Sequence, residues 1–245
     1  MHAFLSIVRN VVPRPVLNVG FQIFIYPFVK LYSYKFDPFL IRRRTKDKYV
    51  FFNIFLLREL ALPFDLNPDL IVDAGAYTGL SSLYFALTYP DADIVAVEPE
   101  KQNYQVLEKH AGQYPQITPV NKGLWHTATK LEVIDEGAEW GFMVQGAEED
   151  HDVETTTVPD ILDDSHHDKV DILKIDIEGS ERELFSNNTE WLKHVHVLLV
   201  EFHEHKRPGA KTNFYDAIDE GRWKEMSLQD KKVFVNKGLD DRKTT

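Results

Sequence analysis

The sequence predicts an α/β protein built on a mostly parallel sheet, and three observations carry that reading. From residue 70 onward, short apolar β-branched runs alternate with helical patterns, the succession that builds parallel sheets through right-handed crossovers. Several of these runs end in acidic residues, with glycine close behind, which places polar groups at the carboxyl edge where such sheets bind ligands. With 43% hydrophobic and 12% aromatic residues, the 245-residue chain can bury a sizeable core, so a disordered or fibrous chain is excluded.

Cysteine is absent, which excludes a disulfide framework, a thiolate zinc site and cysteine catalysis. The net charge of −11 hides two different segments. Residues 1–62 carry ten Lys and Arg against three Asp and Glu, whereas the rest of the chain carries 18 against 36. The reading is therefore a basic, aromatic-rich extension over 1–62 and an acidic domain over 63–245. An acidic body argues against broad binding to a nucleic-acid backbone.

In the extension, VLNVGFQIFIYPFV (16–29) is apolar but broken by Asn18, Gln22 and Pro27, and is too short to span a bilayer. It also lacks the pattern of a signal peptide. It reads as a helical segment packing onto the main domain of a cytoplasmic protein. The alternative is a peripheral membrane element, with Phe21, Phe24, Tyr26, Phe28, Tyr32 and Tyr34 on the apolar side and Arg42, Arg43 and Arg44 toward anionic headgroups. The arginine run reads otherwise as a solvated charge run, or as a contact to a phosphate of a substrate or nucleic acid. YVFFNIFLLRELAL (49–62) predicts a helix that buries Leu56, Leu57 and Leu60 and is closed by Pro63.

LIVD (70–73) predicts a first buried strand, AGAYTG (74–79) a glycine turn and SSLYFALTYP (81–90) a helix. IVAVEP (94–99) predicts a second strand, QNYQVLEKH (102–110) a helix and ITPVN (117–121) a third strand. Asp73, Gly75, Glu98 and Asn121 then fall at the carboxyl edge. The turn reads Asp-x-Gly-x-x-x-Gly, with Tyr77 where a dinucleotide fingerprint needs glycine, and no Gly-Lys-Ser/Thr follows as in a phosphate-binding loop. An acid-led turn suits a cationic, phosphate-free ligand such as S-adenosylmethionine, with Glu98 accepting from both ribose hydroxyls. The plainer alternative makes Gly75 and Gly79 turn and packing glycines, Asp73 an N-cap and Glu98 a solvated strand end.

KLEVID (130–135) and EWGFMVQG (139–146) resemble a hairpin, followed by the acidic loop AEEDHDVE (147–154) and by TTTVPDIL (155–162). In VDILKIDIEGSERELF (170–185), DILKID is a strand, Gly179 permits a tight turn and ERELF begins a helix. HVLLVEFHEH (196–205) predicts another strand, ending in Glu201, His203 and His205.

These segments, together and in this order over roughly 70–240, resemble the FkbM family of methyltransferases, and the K-I-D-x-E-G-x-E signature at 174–181 is the most specific of them. Ser180 and Gly123 stand where the family often has Ala. The resemblance implies a Rossmann-like class I methyltransferase fold: a mostly parallel seven-stranded sheet flanked by helices, with last strands at 226–229 and 232–237 and an N-terminal helical extension outside the resemblance. It implies S-adenosylmethionine as cofactor and O-methylation of a sugar, glycan, glycolipid or secondary metabolite. Asp73, Gly75, Ala76, Tyr77, Thr78 and Gly79 would line the methionine and ribose, Glu98 and Pro99 the ribose, and Asn121 and Gly123 the adenine, with Asp176 near the methyl donor.

For the chemistry, Asp176, Glu178, Glu201 and His203 are the candidates at the correct edge. His203 is the expected base, because imidazole titrates near neutral pH, and Asp176 is expected to act electrostatically. A histidine that bonds Glu201 or Glu178 and only shapes the pocket is the alternative. The favoured reading has no metal, with Mg2+ on Asp176, Glu178, Glu201 and His203 as a further possibility. His166, His167, His194 and His196 read as surface residues. Competing functions are an RNA methyltransferase that uses the arginine run, and a non-catalytic cofactor-binding scaffold attached to a membrane or partner.

Overall fold

The computed structural model describes residues 40–42, 44–135, 142–146, 152–228 and 231–239. They divide between Arg58 and Glu59 into two compact units, each considered by itself. In the first, helix α1 (Asp47–Phe51) runs directly into a π-helical turn, Phe52–Leu56, closed by the Leu57 amide donating to the Phe52 carbonyl at 3.0 Å. The predicted helix over 49–62 thus ends early. Arg58 has φ +56°, a left-handed conformation that a continuing helix does not allow. The buried apolar residues there are Phe51, Phe52 and Ile54; of the three leucines expected to be buried, Leu56 and Leu57 are only half-buried, while Leu60, which falls in the second unit, is buried.

Arg42 is not a solvated charge but is engaged within its own unit. Its backbone amide and guanidinium hold the buried Asp47 carboxylate at 2.9, 3.1 and 3.0 Å. Arg44 is exposed. Arg43 and the candidate membrane-facing aromatics between Phe21 and Tyr34 lie outside the described residues. Among the described residues no helix is long and apolar enough to cross a membrane.

The second unit begins with β1 (Leu70–Ala74), α2 (Leu80–Thr88), β2 (Asp93–Val97), α3 (Lys101–Ala111) and β3 (Ile117–Val120). It continues through β4 (Gly123–Leu124), β5 (Lys130–Asp135), β6 (Phe142–Gly146), β7 (Asp152–Thr156) and α4 (Val158–Ser165). It ends with β8 (Val170–Ile175), α5 (Glu181–Leu184), β9 (Val195–Val200), α6 (Ala210–Ala217), β10 (Trp223–Leu228) and β11 (Lys231–Asn236). Seven strands form the main sheet in the order β10-β11-β9-β8-β1-β2-β3. Only β11 runs against its neighbours.

The central strands β1, β8 and β9 are buried along their whole length, as their mostly apolar runs suit strands covered on both faces. Beside β9 and β11, Phe214 packs at 4.9 Å from Phe185 and 4.5 Å from Phe234, ring centre to ring centre. The predicted hairpin is β5–β6, which belongs to a second sheet of order β4-β7-β5-β6. The Thr157 side chain caps α4 by accepting from the Asp160 amide, and Asp160 returns the bond to the Thr157 amide.

Strand order reverses between β1 and β8, because the chain steps outward to β2 and β3 and then crosses back. Such a switch point opens a crevice at the carboxyl ends of the two strands. Gly75, just past β1, has φ +74°, and the Asp176 amide donates to the Ala74 carbonyl at 3.1 Å. The two strand ends therefore meet backbone to backbone at the floor of this crevice.

Candidate active site

One half of the site belongs to β1 and β2. The Gly75 and Ala76 amides both donate to the Val97 carbonyl at 3.0 Å, which folds the glycine turn over the end of β2. Glu98 follows β2 and is 6% exposed. Its Oε2 accepts the Tyr77 amide at 2.9 Å and its Oε1 the Glu100 amide at 3.0 Å. Burial raises the Glu98 pKa to about 7, although these amide bonds favour the charged form. Glu98 is thus a fixed, buried acceptor, not a solvated strand end. Asn121 is exposed and its side-chain amide donates to the Glu98 and Pro99 carbonyls at 2.9 and 3.0 Å. Gly123 is buried inside β4, opposite Thr155 of β7.

The turn is braced from behind. His110 of α3 donates from Nδ1 to the Thr78 carbonyl at 2.6 Å; a carbonyl only accepts, so Nδ1 carries the proton. Ala76 and Thr78 are buried. Asp73 is fully buried and does not line the ligand side with its carboxylate, as the sequence reading expected, nor does it cap α2, whose N-cap is Gly79. Its Oδ2 takes hydroxyl bonds from Ser81 and Ser82 at 2.6 and 2.7 Å, and its Oδ1 pairs with Lys174 at 2.9 Å. A buried carboxylate needs such partners, and they turn it into a brace between β1, α2 and β8.

The other half gathers the expected chemistry. Asp176, Glu178, Glu201 and His203 come together beyond β8 and β9: His203 Nε2 lies 3.4 Å from Glu178 Oε2, 3.7 Å from Asp176 Oδ1 and 3.8 Å from Glu201 Oε1. The hydrogen bond of His203, however, goes to neither Glu201 nor Glu178. Its Nδ1 donates to Glu181 Oε1 at 2.9 Å. Glu181 is fully buried and also accepts the Ile177 and Gly179 amides at 3.2 and 2.9 Å.

Burial works against a charge on His203, but the bond to Glu181 and the charges of Glu181, Asp176 and Glu178 outweigh it and push the pKa up to about 9. These neighbours favour a positive charge at the ring near neutral pH, which works against the role of free base that the sequence reading gave it. For Asp176, burial opposes ionisation, yet the ammonium groups of Lys231 and Lys174 and the His203 ring hold its carboxyl well below the usual range.

Sequence reasoning missed the cations. Lys174 sits within the apolar run of β8, 4% exposed, and donates to the Gly75 carbonyl at 3.0 Å while pairing with Asp73. A lysine inside an otherwise apolar strand was the available signal. Lys231, at the start of β11, lies 3.4 Å from Asp176 and in close contact with Glu201. The β11–β9 register sets Lys232 opposite Val200, which brings Lys231 beside Glu201. Lys206 pairs with Glu178 at 3.0 Å. Of the four histidines read as surface residues, His166 and His194 are exposed and His167 is half-buried against Asp93 at 3.0 Å. His196 is a correction: it is 2% exposed, because β9 is covered on both faces.

The strand order, with a single reversed strand next to the edge, and the acid-lined switch point define a class I methyltransferase fold. The chain belongs to the FkbM methyltransferase family: the family model described as "Methyltransferase FkbM domain" matches residues 73–222. It is similar to methyltransferase sdnD of Sordaria araneosa, 29% identical over 51% of this chain and 61% of that protein. It also resembles AMB antimetabolite synthetase AmbE of Pseudomonas aeruginosa, 28% identical over 63% of this chain and 9% of that protein. The chain thus spans about three fifths of the first relative and a small part of the second. Among solved structures it is similar in fold to methyltransferase FkbM from Methylobacillus flagellatus. That match has a TM-score of 0.53 and 16% identity, and covers 75% of this chain and 47% of the other. Lys231 and Glu59 fall outside the span matched by the family model.

Proposed function

We propose that this methyltransferase uses S-adenosylmethionine and transfers the methyl group to a hydroxyl of a sugar, glycan, glycolipid or secondary metabolite. The observation that carries the cofactor is Glu98. Its Oε2 takes the Tyr77 amide and keeps a further lone pair, and its Oε1 takes the Glu100 amide with only a long 3.5 Å contact from the Asn103 side chain to give up, which suits a pair of ribose hydroxyls. The residues present therefore fit it: the 75–79 turn and Glu98 would hold it, with Asn121 at its border. When bound, the cofactor supplies a methyl group activated on a sulfonium.

The chain's own contribution is alignment. Holding an acceptor oxygen in line with the methyl group is worth up to about 7–11 kcal/mol in ideal cases. Asp176 and Glu178, beyond β8, are placed to accept a hydrogen bond from the acceptor hydroxyl. The acidic body and the engagement of Arg42 with Asp47 favour a small-molecule or glycan acceptor over a nucleic acid. The name of the second relative, an antimetabolite synthetase, agrees with an acceptor from secondary metabolism.

The test is calorimetric titration of the full chain with S-adenosylmethionine and S-adenosylhomocysteine, with NAD as control. The expected result is binding of both sulfur compounds, not NAD, and its loss in Glu98→Ala. A folded protein that binds neither overturns the reading.

A further inference from the structure

His203 presents an unusual electrostatic arrangement. Its Nδ1 proton is committed to Glu181, whose remaining bonds come from the Ile177 and Gly179 amides, so the ring is fixed in one orientation. The ring is buried, at 6% exposure, and its other nitrogen is aimed between Glu178, Asp176 and Glu201 at 3.4, 3.7 and 3.8 Å. All three separations exceed the 2.7–2.9 Å or so of a charge-assisted hydrogen bond, and Nε2 makes none among the described residues. A neutral ring would point a lone pair at three carboxylates, so a positive centre belongs at this position: a second proton or a metal ion.

The donor atoms suit the ion. Asp176, Glu178 and His203 each offer one ligand atom, and all three atoms lie within 4.8 Å of one another. Two bonds of roughly 2.0–2.2 Å to a shared ion hold their donor atoms no more than about 4.4 Å apart, so the His203 separations fit a common centre and the third needs only a slight closing. A carboxylate that orients the far nitrogen of a ligating histidine, as Glu181 does here, is the usual support behind such a ligand. Charge gives an independent argument. Among the described residues, Asp73, Asp176, Glu178, Glu181 and Glu201 are met by Lys174, Lys206 and Lys231, with Lys174 2.9 Å from Asp73 and 3.9 Å from Asp176, and Glu59 adds a further carboxylate near Lys231. The cluster thus carries an excess of at least two negative charges when His203 is neutral.

We propose that Asp176 Oδ1, Glu178 Oε2 and His203 Nε2 bind a divalent cation of the Mg2+/Mn2+ class at the acceptor side of the site. Glu201 stands outside this set as the carboxylate farthest from Nε2, at 3.8 Å, and held by Lys231, while Glu178 Oε2 would exchange its 3.0 Å contact with Lys206 for the ion. Two carboxylates and one imidazole leave positions open on an ion of this class, so the substrate class it selects is an acceptor with two adjacent hydroxyls that can chelate it. This deepens the O-methyltransferase reading and rests on it for the role of the ion, though not for its binding.

The experiment titrates the metal-stripped full chain with Mn2+ alone, following the free-ion signal by electron paramagnetic resonance. A parallel calorimetric titration uses S-adenosylhomocysteine. One Mn2+ per chain is expected, with affinity falling by about tenfold or more in both Glu178→Gln and His203→Gln. S-adenosylhomocysteine binding should stay within a few-fold in both variants, which reports that they are folded. No binding at millimolar Mn2+, or binding unchanged in the two variants, overturns the site. In the unmodified chain Mn2+ must also broaden the His203 ring resonances in the NMR spectrum; their persistence overturns the site without reliance on any variant. S-adenosylhomocysteine binding without Mn2+ binding removes the metal site alone, whereas Mn2+ binding without S-adenosylhomocysteine binding removes the cofactor reading alone.

Discussion

Gly75 and Asp176 meet so closely that a Cβ placed on Gly75 would stand 1.8 Å from the Asp176 carbonyl oxygen. The contact joins the ends of β1 and β8, the two parallel strands between which the strand order reverses. Gly75 also has φ +74°, so a side chain there is strained twice, by conformation and by collision with backbone. Gly79, at φ +84°, is different: its Cβ would meet Leu107 Cδ1 at 2.6 Å, the free end of a flexible side chain. Gly75→Ala should therefore cost more than about 3 kcal/mol, or displace the end of β8 and abolish cofactor binding, while Gly79→Ala should cost about 1–2 kcal/mol. Urea denaturation of the two variants checks the order; equal losses would contradict it.

Glu98 predicts a pH dependence of stability. Its ordinary pKa of 4.5 is raised to about 7 in the folded chain by burial. Below the ordinary value both states hold the proton. Between the two values the unfolded chain releases it and the folded chain keeps it, so the contribution of Glu98 to stability falls as pH rises through this window and levels off above it. The loss amounts to about 3 kcal/mol. Glu98→Gln should remove this slope from the ligand-free protein, as measured by urea midpoints between pH 4.5 and 8.

Lys174 and Asp73 form a buried pair, the lysine only 4% exposed and the carboxylate fully enclosed. Lys174→Met leaves the Asp73 carboxylate with two hydroxyl donors and no cation. A loss of about 3–5 kcal/mol is expected, because an uncompensated buried charge remains. Adding Asp73→Asn should recover part of it. A double variant less stable than the sum of the single losses would refute the pairing.

The capping box of α4 gives a smaller, local effect. Thr157→Ala removes the acceptor for the Asp160 amide and should cost about 1 kcal/mol, with Thr157→Ser restoring most of it. Thermal unfolding of the three proteins measures this directly.

Much of the fold was legible because buried parallel strands leave a plain trace. The runs at 70, 94, 117, 170 and 196 correspond to β1, β2, β3, β8 and β9 within one or two residues at most ends. The last run overshoots: β9 closes at Val200, which leaves Glu201, His203 and His205 in the following loop. Two features escaped. β4 is two residues long, too short to carry a periodicity, and its partner β7 is distant in sequence. The early end of the first helix depends on a left-handed Arg58, a conformation that arginine does not announce as glycine would.

The sequence by itself determined the order of elements, the acidic and glycine residues at the carboxyl edge, and the signature that marks the family. These are local properties: apolar periodicity, turn chemistry and short spacing in the chain. Only the tertiary structure decided what each charge does. It turned Asp73 inward as a brace, gave His203 to Glu181, and brought Lys231 across from a reversed strand to Asp176 and Glu201. Protonation and charge balance depend on which groups lie within a few ångströms and how little water reaches them. Residues 73, 176, 201 and 231 come into range only when β1, β8, β9 and β11 align in one sheet.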